Sequence, residues 1–304
     1  MPFESKINSM SAEDLASNET FGEAKRVVLP EIISHILLDY VMEPTYKFDK
    51  FWEPYMNRIN FGILTCNRNA VDFLIENRQY IDWESFCELN NPKIIEVLKE
   101  NWSRIDWFWL SENPVAFSFL KENKRKIDWF MLSGNTAPGA VELMKTKYDE
   151  IDWMKLCANS SDEAVDLMLA NPSKIDWGVV FENTNDRMVE YITRDESKID
   201  WSDLSANSSD LAVDLISKKE NKGKINIMKL CRNRNPRAMD IVKKFIDEKN
   251  EDVDWVILSG NPAAIDLLKQ NMDKIEWGSI GYNPAIFIVD EEKTIEERRK
   301  IACF

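Results

Sequence analysis

One recurring triplet governs what this chain can fold into. Ile-Asp-Trp, with small variations, begins at Ile59, Ile81, Ile105, Ile127, Ile151, Ile175, Ile199, Ile225, Val253 and Ile275, at intervals of 22 to 28 residues. Eight of the eleven Trp occupy its third place, and Phe61 and Ile227 fill that place in the first and eighth copies. Self-similarity at this period is the signature of a repeat architecture in which each copy is one supersecondary unit.

The pattern continues inside each copy. An aliphatic residue or Phe stands three places after the aromatic, as in Leu64, Phe86, Leu110 and Leu156, which is helical spacing on one face. The residue before the aromatic is Asp or Asn in nine copies, and either side chain can accept a hydrogen bond from an orphan N–H of a first helical turn. An Asn follows six places after the aromatic in nine copies, several times as Asn-Pro, which predicts a turn into a second helix. In the fifth copy Ser160 and Glu163 have capping-box spacing. The second helix carries segments such as Ala164 to Met168 and Ala264 to Leu268, whose four apolar positions share a face and whose acid points away from it. A basic residue precedes the triplet in seven copies, among them Arg58, Lys126 and Lys174, near the helix C-terminus that favours a cation.

A helix pair this short cannot bury its apolar stripe alone, so neighbouring copies must stack. The predicted fold is all-α, an α-solenoid of about ten helix-turn-helix repeats of 22–28 residues. With helix rows roughly 8 to 10 Å apart it would be an elongated body on the order of 100 Å before curvature. The periodic Trp are expected in its core. The expected organisation is a polar N-terminal arm (1–26), a capping segment (27–58), the repeats (59–289) and a charged C-terminal tail (290–304) able to form a terminal helix. The eighth copy is the least regular. It lacks the Trp and carries Arg232-Asn233-Arg234-Asn235-Pro236, which suggests a bend or a contact there.

Composition narrows the function. Lys and Arg number 39 against 53 Asp and Glu, a net charge of −14, so the chain is no general nucleic-acid binder. No apolar run is long enough to span a bilayer, the N-terminal residues have no hydrophobic signal core, and the five Cys suit a reducing compartment. A protein that is not secreted follows as the expectation. Catalysis needs a base, nucleophile or metal placed together. The single imidazole, His35, lies in the capping segment, and Cys87, Cys157 and Cys231 fall where other copies have Ser. No enzyme, cofactor or metal site is therefore expected.

Two features are candidates for binding a protein partner. Trp102, Phe108, Trp109 and Phe130 lie off the repeated positions, either as an exposed hot spot or as extra packing between neighbouring helices. The second is a column of acids on the second helices, including Asp166, Glu190 and Asp214, which is either a negative ladder for a basic partner or a solvated face.

The segment from Trp255 to Leu268, Trp-x-x-Leu-Ser-x-Asn-Pro-x-Ala-Ile-Asp-Leu-Leu, together with Tyr282 to Phe287, resembles the short Asn-Pro repeats of proteins encoded in many copies by giant DNA viruses of amoebae and algae. The resemblance covers residues 59–289, with Ser, Thr or Arg replacing Pro in several copies. It implies a non-catalytic interaction scaffold, in the host cytoplasm or as a virion or minor-capsid component, with virion or host proteins as partners. A second similarity lies at Leu29, Pro30, Ile33, Ile36 and Leu37, which resemble the first helix of an F-box. That resemblance implies the alternative of an adaptor recruiting a host ubiquitin ligase to a substrate held by the repeats.

Overall fold

The computed structural model describes residues 43–302. It is mostly helical, its elements being short α-helices and 3₁₀ turns apart from one two-stranded sheet, β1 (Tyr46–Phe48) paired with β2 (Phe287–Val289). Two compact units divide the chain. The larger, Lys47–Ile288, holds every copy of the triplet. The described part of the smaller is residues 43–46 and 289–302. Its described part includes a helix, Glu291–Ala302, where the sequence allowed one. There Thr45 donates its backbone N–H to Thr294 Oγ1 at 2.9 Å and its hydroxyl to Glu297 at 2.8 Å.

Within the larger unit seven copies have a leading α-helix that begins at the third residue of the triplet, as in Trp83–Glu88, Trp107–Glu112 and Trp153–Ala158. The Asp or Asn before it caps the first turn in all nine copies that have one. The first, sixth and tenth copies form only a 3₁₀ turn at this place, and these three have Gly62, Gly178 and Gly278 directly after the aromatic. A glycine there costs roughly 1 kcal/mol of helix propensity against Ala. A trailing helix follows, from six residues (Val71–Glu76) to twelve (Pro236–Asp247). A one-turn 3₁₀ segment then leads into the next triplet, as at Lys124–Lys126.

The core is built from the aliphatic position three after the aromatic, which is fully buried in all ten copies, and from the triplet's first residue, buried in eight. The periodic Trp are not in it. They are half-buried, and Trp177 is 40% exposed; six of the eight lie on the flank of their copy beside a cation. Lys126 stands over Trp107, Lys174 over Trp153, Lys198 over Trp177 and Lys224 over Trp201, with the nitrogen 4.3 to 5.9 Å from the ring centre. Four of the basic residues before a triplet thus stand over the aromatic of their own copy, from the 3₁₀ turn that follows the trailing helix. The cap in the fifth copy also differs from the expected pair: Ser161, not Ser160, accepts from the N–H of Ala164.

Copies are joined by the buried Asn six places after the aromatic. Its side-chain oxygen accepts the N–H two residues on, which makes the turn, and its Nδ2 donates to two backbone carbonyls of the preceding copy. Asn159, for example, accepts from Ser161 and donates to Ser133 at 3.1 Å and Asn135 at 2.9 Å. The same three bonds recur at Asn113, Asn135, Asn183, Asn207, Asn233, Asn261 and Asn283. The second copy has Leu89 at this place, and Asn91 donates instead to Arg68 at 3.3 Å.

Asn67 of the first copy makes the same bonds to the tenth, donating to Gly281 at 2.9 Å and to Asn283 at 3.0 Å. The copies therefore return on themselves instead of running out in a line with two free ends. Residues 47–58, placed with the capping segment on sequence, belong to this unit and complete the tenth copy, whose own chain passes into β2 before a trailing helix can form. Asp49 N–H bonds to Ile286 O at 2.9 Å, and Trp52, fully buried, meets the Trp277 ring edge-on at 6.4 Å. Arg58 lies 4.1 Å above Trp277, the place that Lys126 holds over Trp107. One copy is thus assembled from the two ends of the unit's sequence.

Candidate interaction surface

The exposed face of a leading helix is formed by the positions one, two and five after the aromatic, since positions three and four turn into the core. In the second to fifth copies this face carries a cluster of charged and aromatic groups. Lys155 of the fifth copy reaches Glu112 of the third at 2.8 Å, passing over the fourth. Helices two copies apart in a flat stack would be roughly 16–20 Å from axis to axis, too far for such a pair, so this face is on the inner side of the curve. Gly134 of the fourth copy makes the passage possible, because a Cβ there would lie 2.3 Å from Glu112 Oε1.

Around this ion pair the aromatic candidates separate into two groups. Phe108 and Phe130 occupy the same position in successive copies and stack nearly parallel, 6.4 Å apart, while remaining 41% and 43% exposed. Trp109 meets Phe108 edge-on and donates its Nε1–H to Glu84 at 3.0 Å, so it is half-buried and committed to a partner inside the chain. Trp102, although 47% exposed, lies elsewhere, packed edge-on against Trp107 and Phe119 on the flank that the periodic Trp share. Partial desolvation of Glu88, together with the nearby carboxylates of Glu112 and Glu84, holds its carboxyl above the usual carboxylate range. An inner-facing apolar stack bordered by acids is the arrangement that results.

The acid column has a different character. Arg187 pairs with Asp166, Arg194 with Glu190 and Arg237 with Asp214; Lys93, Lys99 and Lys145 pair with Asp72, Glu96 and Glu142. Most of its charge is met by cations of the same or the next copy, and surface pairs of this kind contribute about 0–1 kcal/mol each. It is a solvated, largely neutralised face.

The thiols are used structurally. Cys87 and Cys157 accept the N–H of Asp106 and Asp176 in the following copy, as Ser111 and Ser133 accept those of Asp128 and Asp152. Burial pushes the Cys87 and Cys231 thiols up to about 11. Among the described residues no group of His, Cys, Asp and Glu could hold a metal ion, and no helix is long and apolar enough to cross a membrane. His35 and the F-box-like residues Leu29, Pro30, Ile33, Ile36 and Leu37 lie outside the described residues. Comparison with protein-family models, curated proteins and solved structures finds no match for this chain.

The sequence reading missed three elements of this arrangement: the inter-copy role of Asn, the completion of the tenth copy by residues 47–58, and the bridge over Gly134. The first had a signal. Asn recurs where Ser or Asp would cap a turn equally well, and only an amide adds donors to an acceptor.

Proposed function

We propose that the chain is a non-catalytic scaffold, a closed solenoid of ten helix-turn-helix copies that holds a protein partner on the inner face of its leading helices. The observation that carries this reading is the Phe108–Phe130 stack. Nothing in the repeat requires an aromatic at this position, which is Gly62, Gly178 and Ser202 in other copies, and both rings remain open to solvent beside Glu84, Glu88 and Glu112. With Glu112 already paired to Lys155, whose ammonium lies 5.8 Å from the Phe130 ring, Glu84 and Glu88 are the carboxylates left beside the aromatic pair, which fits a segment that offers an apolar side chain next to Lys or Arg. Association within a virion or with a host protein is the setting that the repeat resemblance suggests.

The test is quantitative cross-linking mass spectrometry on infected cells or purified particles, comparing the native chain with the double variant Phe108→Ser, Phe130→Ser. Because both side chains are exposed, the melting temperature should change little. The account expects the partner cross-links at the leading helices of the second to fifth copies to disappear. Cross-links unchanged at full folding would refute the assignment of this face.

A further inference from the structure

The two length irregularities of the repeat converge on one place. The seventh copy carries extra chain at Lys219–Lys224 after its trailing helix Asp210–Ile216, and the eighth has the longest trailing helix of the unit, Pro236–Asp247. Between them lies a cavity of about 420 Å³, well away in sequence from the Phe108–Phe130 face. Its apolar lining includes Ile216, Ile241 and Phe245. Its rim is cationic, formed by Lys218, Lys219, Lys222, Arg237 and Lys244 against a single carboxylate, Asp240.

Two of these cations are engaged: Arg237 with Asp214, and Lys222 with Glu248 at 2.8 Å. Lys218, Lys219 and Lys244 have no carboxylate within ion-pair distance among the described residues. Five cations against one carboxylate on this rim, with Lys218 also acting at longer range on Glu196, make a local field opposite in sign to that of the whole protein.

We infer that this cavity is a second docking site, for an acidic peptide segment carrying one large apolar side chain. The apolar side chain sits on the half-buried Ile241, against the edges of the buried Ile216 and Phe245, and carboxylates on either side of it pair with Lys218, Lys219 and Lys244. Rim charges of this kind set association rate and partner choice, with the floor supplying the buried area.

Fluorescence anisotropy of the full chain with a labelled peptide, Glu-Asp-Phe-Glu-Asp, tests the inference. Saturable binding is expected, weakening with added salt, absent for Lys-Lys-Phe-Lys-Lys and strongly reduced when Phe is replaced by Gly. The triple variant Lys218→Glu, Lys219→Glu, Lys244→Glu should keep its melting temperature, since all three side chains are exposed, and bind at least about tenfold more weakly. No binding, or equal binding by the triple variant, overturns the site. Displacement of the peptide by inorganic phosphate at matched ionic strength overturns it in favour of a simple phosphate site.

Discussion

Asn67 and Asn283, 216 residues apart in sequence, are joined by a 3.0 Å hydrogen bond from the amide of the first copy to the backbone carbonyl of the last. The same bond links Asn135 to Asn113 and Asn159 to Asn135. The seam therefore repeats the bonding found between successive copies, and the core of the first copy is covered by the tenth.

Gly281 is the tightest point of that seam. A Cβ on it would lie 2.5 Å from Ile63 Cγ1, whereas nothing stands within 4 Å of one on Gly278. Gly281→Ala should lower stability by about 1–3 kcal/mol through overpacking, and Ile63→Ala in the same chain should recover part of it. Gly278→Ala is the control and should be neutral or slightly stabilising. Denaturant titration of the native chain, the two single variants, the double variant and the control decides this; additive effects of Gly281→Ala and Ile63→Ala would contradict the contact.

The position of the Trp side chains makes a second prediction. Trp153 lies half-buried under Lys174, while Leu156 three places on is fully buried. Leu156→Ala should cost about 2–5 kcal/mol, as cavity-forming core changes do. Trp153→Ala should cost less, about 1–2 kcal/mol, because it removes a surface contact and a cation–π pair. Thermal or urea unfolding that ranks Trp153→Ala as the costlier change would return the Trp to the core.

Leu89 is the one break in the Asn series, and its backbone, at φ −62° and ψ 117°, matches that of Asn113 at −75° and 118°. Leu89→Asn can therefore restore the two donors that every other copy uses. A gain of about 1 kcal/mol is expected from added hydrogen bonds offset by lost apolar burial. A loss above that amount in urea unfolding would show that the Asn91 substitute has reshaped the site.

Thiol chemistry should separate the cysteines cleanly. All four described thiols are shifted upward by desolvation, but Cys87, Cys157 and Cys231 are fully buried while Cys66 is exposed, so access separates them. At pH 8 the native chain should be modified quickly at Cys66 and at the three buried thiols only on unfolding. Peptide mapping after a brief maleimide pulse reads this directly, and rapid labelling of Cys157 in the native state would contradict the packing.

How much of this was legible in the sequence depends on whether a feature repeats. The helix pair, the Asp caps and the aliphatic core position all recur with the triplet, so each copy confirms the others. Size and hydrophobicity alone place the Trp in the core, because their partner, the basic residue just before the next triplet, is distant in sequence and its position also suits a helix dipole. Closure could not be read, since Arg58 and Trp277 sit at opposite ends of the repeat array and no local spacing relates them. The Phe108–Phe130 stack was marked as aromatic excess, but Trp102 and Trp109 looked alike on paper. Only the fold sends Trp102 to the flank and ties Trp109 to Glu84.

The closed array is the central claim, and one distance tests it. Cys66 and Tyr282 occupy the same position, five places after the aromatic, in the first and tenth copies, and both are exposed. With Tyr282→Cys introduced and Cys303→Ser removing the C-terminal thiol, nitroxide labels on Cys66 and residue 282 report the separation by electron paramagnetic resonance. Adjacent copies predict strong short-range coupling, with the spins within about 20 Å of each other. A separation above about 60 Å, as ten copies in a line would give, would contradict closure.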